Sequence, residues 1–96
     1  MIKVDVLPIA QFEFRDGLRW YRERSKRAAR RFALEVKAAI AAIREDPERF
    51  PRWDDVYRFS VVSKFPYYVA YREAEGRVVI VTIRHASRDQ DVWKGR

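Results

Sequence analysis

The residues best suited to chemistry lie together near the C-terminal end of the chain. An apolar run over residues 78–83 is followed at once by a group of polar and aromatic side chains: Arg84, His85, Arg88, Asp89 and Trp93. His85 is the only histidine, and histidine is the side chain that titrates near neutral pH. Arginines supply cations that can stabilise charge developing on a phosphate. We therefore expect an active or binding site to include this stretch.

Two other interpretations of these residues stand beside the chemical one. A single histidine at the end of a strand is commonly a hydrogen-bonded structural residue, so His85 has a structural alternative. Arg88 and Asp89 can also pair locally and fix the C-terminal turn, which contributes little to stability if the pair is exposed.

The apolar run that precedes these residues predicts the central strand of a sheet. Residues 78–83 are rich in β-branched side chains and almost free of polar ones, as in strands that are buried on both faces. Two further strands precede it, over residues 57–62 and 67–72, and residues 73–76 close a hairpin into it. Between Pro47 and Val56 the chain is an irregular connector, with Phe50 and Trp53 as its expected anchors on the core.

The N-terminal half predicts one strand and two helices. Ile2, Val4 and Val6 alternate with polar residues, which indicates a half-buried strand over residues 2–7. From Ile9 the apolar spacing becomes helical, despite Gly17, which costs about 1 kcal/mol relative to alanine inside a helix. Ser25 is the expected N-cap of a second helix, which ends at Asp46-Pro47.

These elements predict an α+β fold with the order β-α-α-β-β-β. The helices form a hairpin packed on one face of a small, mainly antiparallel sheet. At 96 residues, the chain is expected to form one domain, residues 1–96.

Composition excludes several classes of site. The chain has no cysteine and one histidine, so disulfides, thiolate nucleophiles and multi-histidine metal sites are excluded. It also has no Gly-rich phosphate-binding loop, and we expect no metal and no cofactor. No apolar stretch is long enough to span a membrane and no cleavable signal is evident, so a cytoplasmic protein is the simplest expectation.

The charge balance predicts an anionic partner. The formal net charge is +7 and the isoelectric point is near 10.1, which favours RNA, DNA or an acidic protein. Seven cations crowd the predicted helical hairpin: Arg19, Arg22, Arg24, Lys26, Arg27, Arg30 and Arg31. Cations at the start of a helix oppose its dipole by a few tenths of a kcal/mol each, which suggests a functional reason for them. The alternative is a solvated face whose charge is partly offset by neighbours such as Glu23 and Glu35.

Several separated segments, in order, resemble toxins of the RelE/ParE superfamily of type II toxin–antitoxin systems. The resemblance rests on WYRERS (Trp20–Ser25), AARRFALEVKAAIAAI in the second helix, FPRW in the connector, FPYYVAY (Phe65–Tyr71) and His85-x-x-Arg88-Asp89. It covers almost the whole chain. It implies a bacterial growth-arrest protein that binds a cognate antitoxin and belongs to a system of the plasmid-stabilisation type.

The superfamily implies two alternative targets. RelE-like members cleave mRNA on the ribosome, whereas ParE-like members inhibit DNA gyrase. A ribonuclease would use Arg58, His85 and Arg88 as catalytic residues. However, RelE-like toxins often carry a catalytic tyrosine near the C-terminus, where this chain has Trp93, and an indole N–H is neither a general acid nor a base. Glu48 is only a weak match to the acid of other variants. The short H-x-x-R-D ending favours the ParE-like branch.

The resemblance also implies binding surfaces. For a gyrase inhibitor, we expect target contacts from the basic hairpin and from the C-terminal edge: Arg27, Arg30, Arg31, Arg84 and Trp93. For antitoxin binding, we expect Trp20 and Tyr21 to contact an added helix or strand. Trp20, Tyr21 and Phe32 are also ordinary core candidates, and for Phe32 a core position is favoured.

Overall fold

The computed structural model describes residues 2–96, and its six elements follow the predicted order. They are β1 (Lys3–Val6), α1 (Pro8–Arg24), α2 (Lys26–Glu45), β2 (Arg58–Val61), β3 (Tyr67–Ala74) and β4 (Arg77–His85). Each predicted element is present, and its ends differ by one or two residues from those expected. The largest extensions are in the strand hairpin, where β3 and β4 each continue beyond their apolar runs. The α+β fold is therefore confirmed.

The sheet has the strand order β1-β4-β3-β2. β1 pairs with β4 in parallel, whereas the β4–β3 and β3–β2 pairs are antiparallel. β4 is therefore a central strand, and residues 78–83 are all buried, as the unbroken apolar run predicts. Because β1 stops at Val6, the second half of β4 continues past it towards α1, and the polar residues that follow β4 lie at this end of the sheet.

The helical hairpin turns at a single residue. Ser25 has an extended backbone and is both the C-cap of α1 and the N-cap of α2. Its hydroxyl oxygen accepts a hydrogen bond from the Ala28 backbone N–H at 3.1 Å, which confirms the predicted cap. The turn is so tight that the cations on either side of it occupy one region of the surface.

Gly17 allows α1 to pack closely on β3. It is buried in the middle of the helix, and a Cβ at this position would lie 2.8 Å from the Tyr67 hydroxyl oxygen and 3.3 Å from the Phe32 ring. Glycine has poor helix propensity, but a side chain at position 17 would displace Tyr67.

The sheet carries a hydrophobic core on each face. On the helix face, Phe32, Val36 and Ile43 of α2 pack against Val69, Tyr71 and Ile80. The opposite face is covered by the connector and the C-terminal segment, where Trp93 and Tyr57 pack on Tyr68 and Val81. Along β2 the buried face is not the apolar one, because Val61 is 68% exposed whereas its neighbour Ser60 is buried. None of the helices in residues 2–96 is long and apolar enough to cross a membrane.

Candidate functional site

The end of β4 and the turn that follows it position His85. His85 lies opposite Tyr67 in the sheet, and the two rings meet edge to face with centroids 5.2 Å apart. The His85 Nδ1 atom accepts hydrogen bonds from the Ser87 backbone N–H at 3.0 Å and from the Ser87 hydroxyl at 2.7 Å. Since Nδ1 is an acceptor, the neutral ring carries its proton on Nε2. The turn closes where the Arg88 N–H donates to the His85 carbonyl at 3.1 Å.

This turn and α1 enclose a cleft, which we call the α1–β4 cleft. Its volume is about 410 Å³, within the range of small-molecule sites in proteins. Its walls are mainly aromatic, with a few charged groups; the principal residues are Asp16, Trp20, Tyr21, Tyr67, His85 and Arg88. A small recess of about 60 Å³ continues from it towards Glu13 and Arg84. The cleft thus places the only histidine beside a tyrosine and an arginine.

Within the cleft, Tyr67 is a partly buried phenol and Arg88 is an exposed cation. Burial raises the pKa of the Tyr67 phenol, the neighbouring Tyr21 adds to this increase, and Arg88 opposes it. Tyr67 is therefore a neutral hydrogen-bonding group at physiological pH. The Arg88 side chain is 63% exposed and its nearest acidic partner, Asp16, is 3.9 Å away. Such an exposed, long ion pair is weak, so the Arg88 guanidinium is available to an incoming anion.

Arg84, by contrast, is held by the fold. Its guanidinium contacts the Glu13 carboxylate at 3.2 Å and its Nε donates to the Asp89 carbonyl at 2.9 Å. Only 14% of the side chain is exposed. Arg84 was expected to contact a target, and its position supports a structural role instead.

Glu13 is a central residue of this region that the sequence interpretation missed. Its carboxylate accepts hydrogen bonds from the Thr82 hydroxyl at 2.6 Å and the Ile83 N–H at 3.2 Å. It also pairs with Arg84 at 3.2 Å and Arg96 at 3.1 Å. Glu13 therefore provides hydrogen-bond acceptors for the part of β4 that β1 does not cover. A lone acid within a helix carries no sequence signal for such a role.

Arg58 is remote from this cleft. It lies opposite Tyr71 on β3, whereas His85 lies opposite Tyr67, so roughly 13 Å of strand separates the two positions. Its guanidinium donates to the Phe50 carbonyl at 2.7 Å and holds the connector. The structure does not bring together the predicted set of Arg58, His85 and Arg88, because β2 and β4 flank opposite edges of β3. Glu48 lies in the same connector and is exposed.

Trp93 lies in the core and not on the surface. Its side chain is 0% exposed, its indole N–H donates to the Tyr68 hydroxyl at 2.9 Å, and its ring meets those of Trp53 and Tyr57 at 5.0 Å. The expectation that Trp93 contacts a target is corrected by this burial. It anchors the C-terminal segment on the second face of the sheet.

The basic hairpin is a separate surface. Arg27, Arg30 and Arg31 are all exposed. Arg31 pairs with Glu35 at 2.9 Å, whereas Arg27 and Arg30 make no ion pair within residues 2–96. Since neither Arg27 nor Arg30 contributes to an ion pair of the fold, both guanidinium groups can contact a partner.

Between the helices runs a shallow channel, which we call the inter-helix groove. Near the turn its floor is Leu18, Ala29 and Ala33, its rims carry Arg22, Lys26 and Arg30, and its volume is about 340 Å³. Towards the other end, Arg15 and Lys37 flank Phe14, Val36 and Ile40. The groove thus combines an apolar floor with cationic rims.

The residues expected to contact the antitoxin have different environments. Trp20 is 50% exposed, and the Arg24 guanidinium lies 3.8 Å above its ring. Tyr21 is partly buried and packs against Phe32 and Phe65. Phe32 is fully buried, in agreement with the core position favoured for it.

Chemically, the α1–β4 cleft supports anion binding and proton transfer better than metal chemistry. No group of three or more His, Asp or Glu side chains that could hold a metal ion occurs in the described part of the chain. The cleft offers an imidazole N–H, a phenol and a guanidinium, which together can bind and polarise a phosphate or carboxylate.

Comparison with known proteins gives a consistent relationship. Residues 4–90 match the family model described as the ParE toxin of the type II toxin–antitoxin system parDE. The chain is 44% identical over 61 residues to Toxin RelE2 of Caulobacter vibrioides, covering 64% of this chain and 68% of that protein. The fold is similar to a chain of the chromosomal ParDE system from P. aeruginosa, with a TM-score of 0.78 at 12% identity over 88% of this chain and 96% of that one.

Proposed function

Because the chain belongs to the ParE toxin family of type II toxin–antitoxin systems, we propose that it arrests bacterial growth by inhibiting DNA gyrase and is neutralised by a cognate antitoxin. Both gyrase and its DNA lie in the cytoplasm, so the toxin acts there. The proposal makes the chain a binding protein and not an enzyme.

The observation that carries the gyrase proposal is the exposed cationic hairpin. Arg27 and Arg30 lie exposed near the start of α2 and make no ion pair within residues 2–96, whereas Arg31 pairs with Glu35 and is half exposed. Cations placed against the helix dipole weaken the fold slightly, and a partner of opposite charge offsets that cost. Gyrase bound to DNA offers such a partner, and unpaired surface cations accelerate its encounter with the toxin.

For the antitoxin, we propose a segment that carries apolar and acidic residues and covers the helical hairpin. The inter-helix groove supports this assignment, since Leu18, Ala29 and Ala33 offer an apolar floor between Arg22 and Arg30. Trp20 lies on the neighbouring surface of α1 and can extend the contact. An amphipathic helix laid in a groove is a common form of peptide recognition.

The second candidate function is ribosome-dependent cleavage of mRNA. A specific observation favours it: the chain is 44% identical over 61 residues to a protein named Toxin RelE2. A ribonuclease would have to work from the α1–β4 cleft with His85 and Arg88, because Arg58 on β2 pairs with Tyr71, away from the β3 residue Tyr67 that pairs with His85. Its key residue is His85, whose imidazole is the group in the cleft best suited to transfer a proton.

Induction of the toxin in a bacterial host separates the two functions. The SOS response and the 5′ ends of mRNA are followed in the same culture, with and without the antitoxin. Gyrase inhibition predicts strong SOS induction with unchanged mRNA ends, in wild type and in His85→Ala alike. Codon-phased mRNA cuts that appear without early SOS induction, and vanish in His85→Ala, would replace gyrase with the ribosome as the target.

A further inference from the structure

Apart from Trp20, the α1–β4 cleft is not used by the proposed contacts with gyrase and antitoxin. Those contacts use the hairpin turn and the inter-helix groove, whereas the cleft lies between α1 and the turn after β4. A cavity of about 410 Å³ lined by aromatic and charged groups is the form that small-ligand sites usually take. Its chemistry therefore indicates what it binds.

One wall of the cleft suits a planar ring. Trp20 lines it with 50% of its surface exposed. The Arg24 guanidinium lies 3.8 Å above the ring and Tyr21 supports it edge to face at 5.0 Å, so the indole is held in place before any ligand arrives. Aromatic side chains of this kind are the surfaces on which nucleobases stack.

The other end of the cleft suits an anion. Because His85 accepts at Nδ1 from Ser87, the Nε2 atom of the neutral ring is left as a donor. The Arg88 guanidinium is 63% exposed and 3.9 Å from Asp16, so an anion can take its place as partner. Arg88 and a His85 donor in one cleft match the charge and hydrogen-bonding needs of a phosphate.

Between the two ends lie groups that can hydrogen-bond a base or sugar. The Tyr67 hydroxyl reaches the backbone of Gly17, where a Cβ would approach it to 2.8 Å, and its raised pKa keeps it protonated. Asp16 provides an acceptor on the same wall. From this arrangement we propose that the α1–β4 cleft binds a nucleotide, with its base against Trp20 and its phosphate on His85 and Arg88.

Two sources share this chemistry, a free nucleotide and one unit of an unpaired nucleic-acid strand. The proposal does not rest on the gyrase target, since binding is measured on the toxin alone. If the toxin does not bind nucleotides, the gyrase proposal is unaffected. If the toxin does not inhibit gyrase, nucleotide binding in the cleft is still measured independently.

The experiment is an NMR titration of the purified chain at fixed pH. Its only histidine gives a single imidazole Cε1–H resonance that reports on His85, and the Trp20 indole N–H reports on the opposite wall. The probes are adenosine monophosphate, a single-stranded pentanucleotide, inorganic phosphate and a proline-rich peptide. We expect saturable shifts of both resonances with the nucleotides and none at the Trp93 indole N–H, which is buried.

Variants identify the two ends of the site. Trp20→Ala and Arg88→Ala are each expected to weaken nucleotide binding about tenfold, whereas Leu34→Ala, a control at an exposed apolar residue of α2, leaves it unchanged. Equal affinities for the monophosphate and the pentanucleotide identify a free nucleotide, and tighter binding of the pentanucleotide identifies a strand. The proposal is overturned if neither nucleotide shifts both resonances, if phosphate alone binds as tightly, or if only the peptide binds.

Discussion

At the scale of single residues, Glu13 is the side chain on which most of the C-terminal half of β4 depends. It joins α1 to the Thr82 hydroxyl, the Ile83 N–H and the guanidinium groups of Arg84 and Arg96. Both arginines are mostly buried, with 14% and 20% of their side chains exposed. Loss of the carboxylate would leave two cations without their partner in a region that water reaches poorly.

We therefore expect Glu13→Ala to lower the free energy of unfolding by about 3 kcal/mol, the usual cost of stranding a mostly buried charge. Urea denaturation followed by circular dichroism measures the change. Glu23→Ala is the matched control, because Glu23 makes only an exposed contact with Arg24 at 3.9 Å, and its loss should cost less than about 0.5 kcal/mol. Equal midpoints for the two variants would contradict the role assigned to Glu13.

Residues differ in how well the sequence predicts their roles. His85 and Arg88 are found from sequence because they follow directly after a buried strand. Glu13 and its partner Ile83 are 70 positions apart, and Tyr67 reads as an ordinary strand residue, so their place at the cleft emerges only from the packing of α1 on the sheet. Trp93 was expected on the surface and lies in the core. An aromatic residue near polar ones is compatible with either position in the sequence.

At the scale of elements, the contact between α1 and β3 is set by Gly17. A glycine in this position costs the helix about 1 kcal/mol of propensity but lets the Tyr67 ring lie against the helix backbone. Tyr67 can therefore form the side wall of the α1–β4 cleft because Gly17 has no side chain. The Tyr67 ring also packs on Phe32, with centroids 4.8 Å apart, which limits how far it can move.

Gly17→Ala is therefore expected to destabilise the protein by about 1–2 kcal/mol in spite of the better helix former, because the new methyl group overlaps the Tyr67 hydroxyl. Urea denaturation again provides the measurement. The double variant Gly17→Ala with Tyr67→Phe removes the overlapping oxygen and should recover most of the loss. A single variant that is more stable than wild type would show that Tyr67 moves aside freely.

Element types and order were predictable because their patterns are local. The helical stripe of α2, the Ser25 cap and the apolar run of β4 each lie within a short stretch of sequence. The placement of β2 and β4 on opposite sides of β3 is not a local pattern, and it is this placement that separates Arg58 from His85. A chemical site that spans three strands depends on register, which one sequence leaves open.

At the scale of the whole molecule, the two faces of the sheet are closed in different ways. The helical hairpin covers one face and carries the exposed Arg27, Arg30 and Arg31, whereas irregular segments anchored by Trp53 and Trp93 cover the other. Much of the net charge of +7 therefore lies on the hairpin side. The resemblance to RelE/ParE toxins is confirmed by the family match over residues 4–90, and the choice of target rests on which surface is needed for toxicity.

The most direct test of this account measures supercoiling by purified gyrase in the presence of the purified toxin. We predict that the toxin inhibits supercoiling and that the antitoxin reverses the inhibition. Reversal of the three hairpin charges, Arg27→Glu, Arg30→Glu and Arg31→Glu, should weaken it at least about tenfold, whereas an equal charge change at Lys3, Arg44 and Arg49 should not. Undiminished supercoiling at saturating toxin, or equal effects of the two charge reversals, would contradict the account.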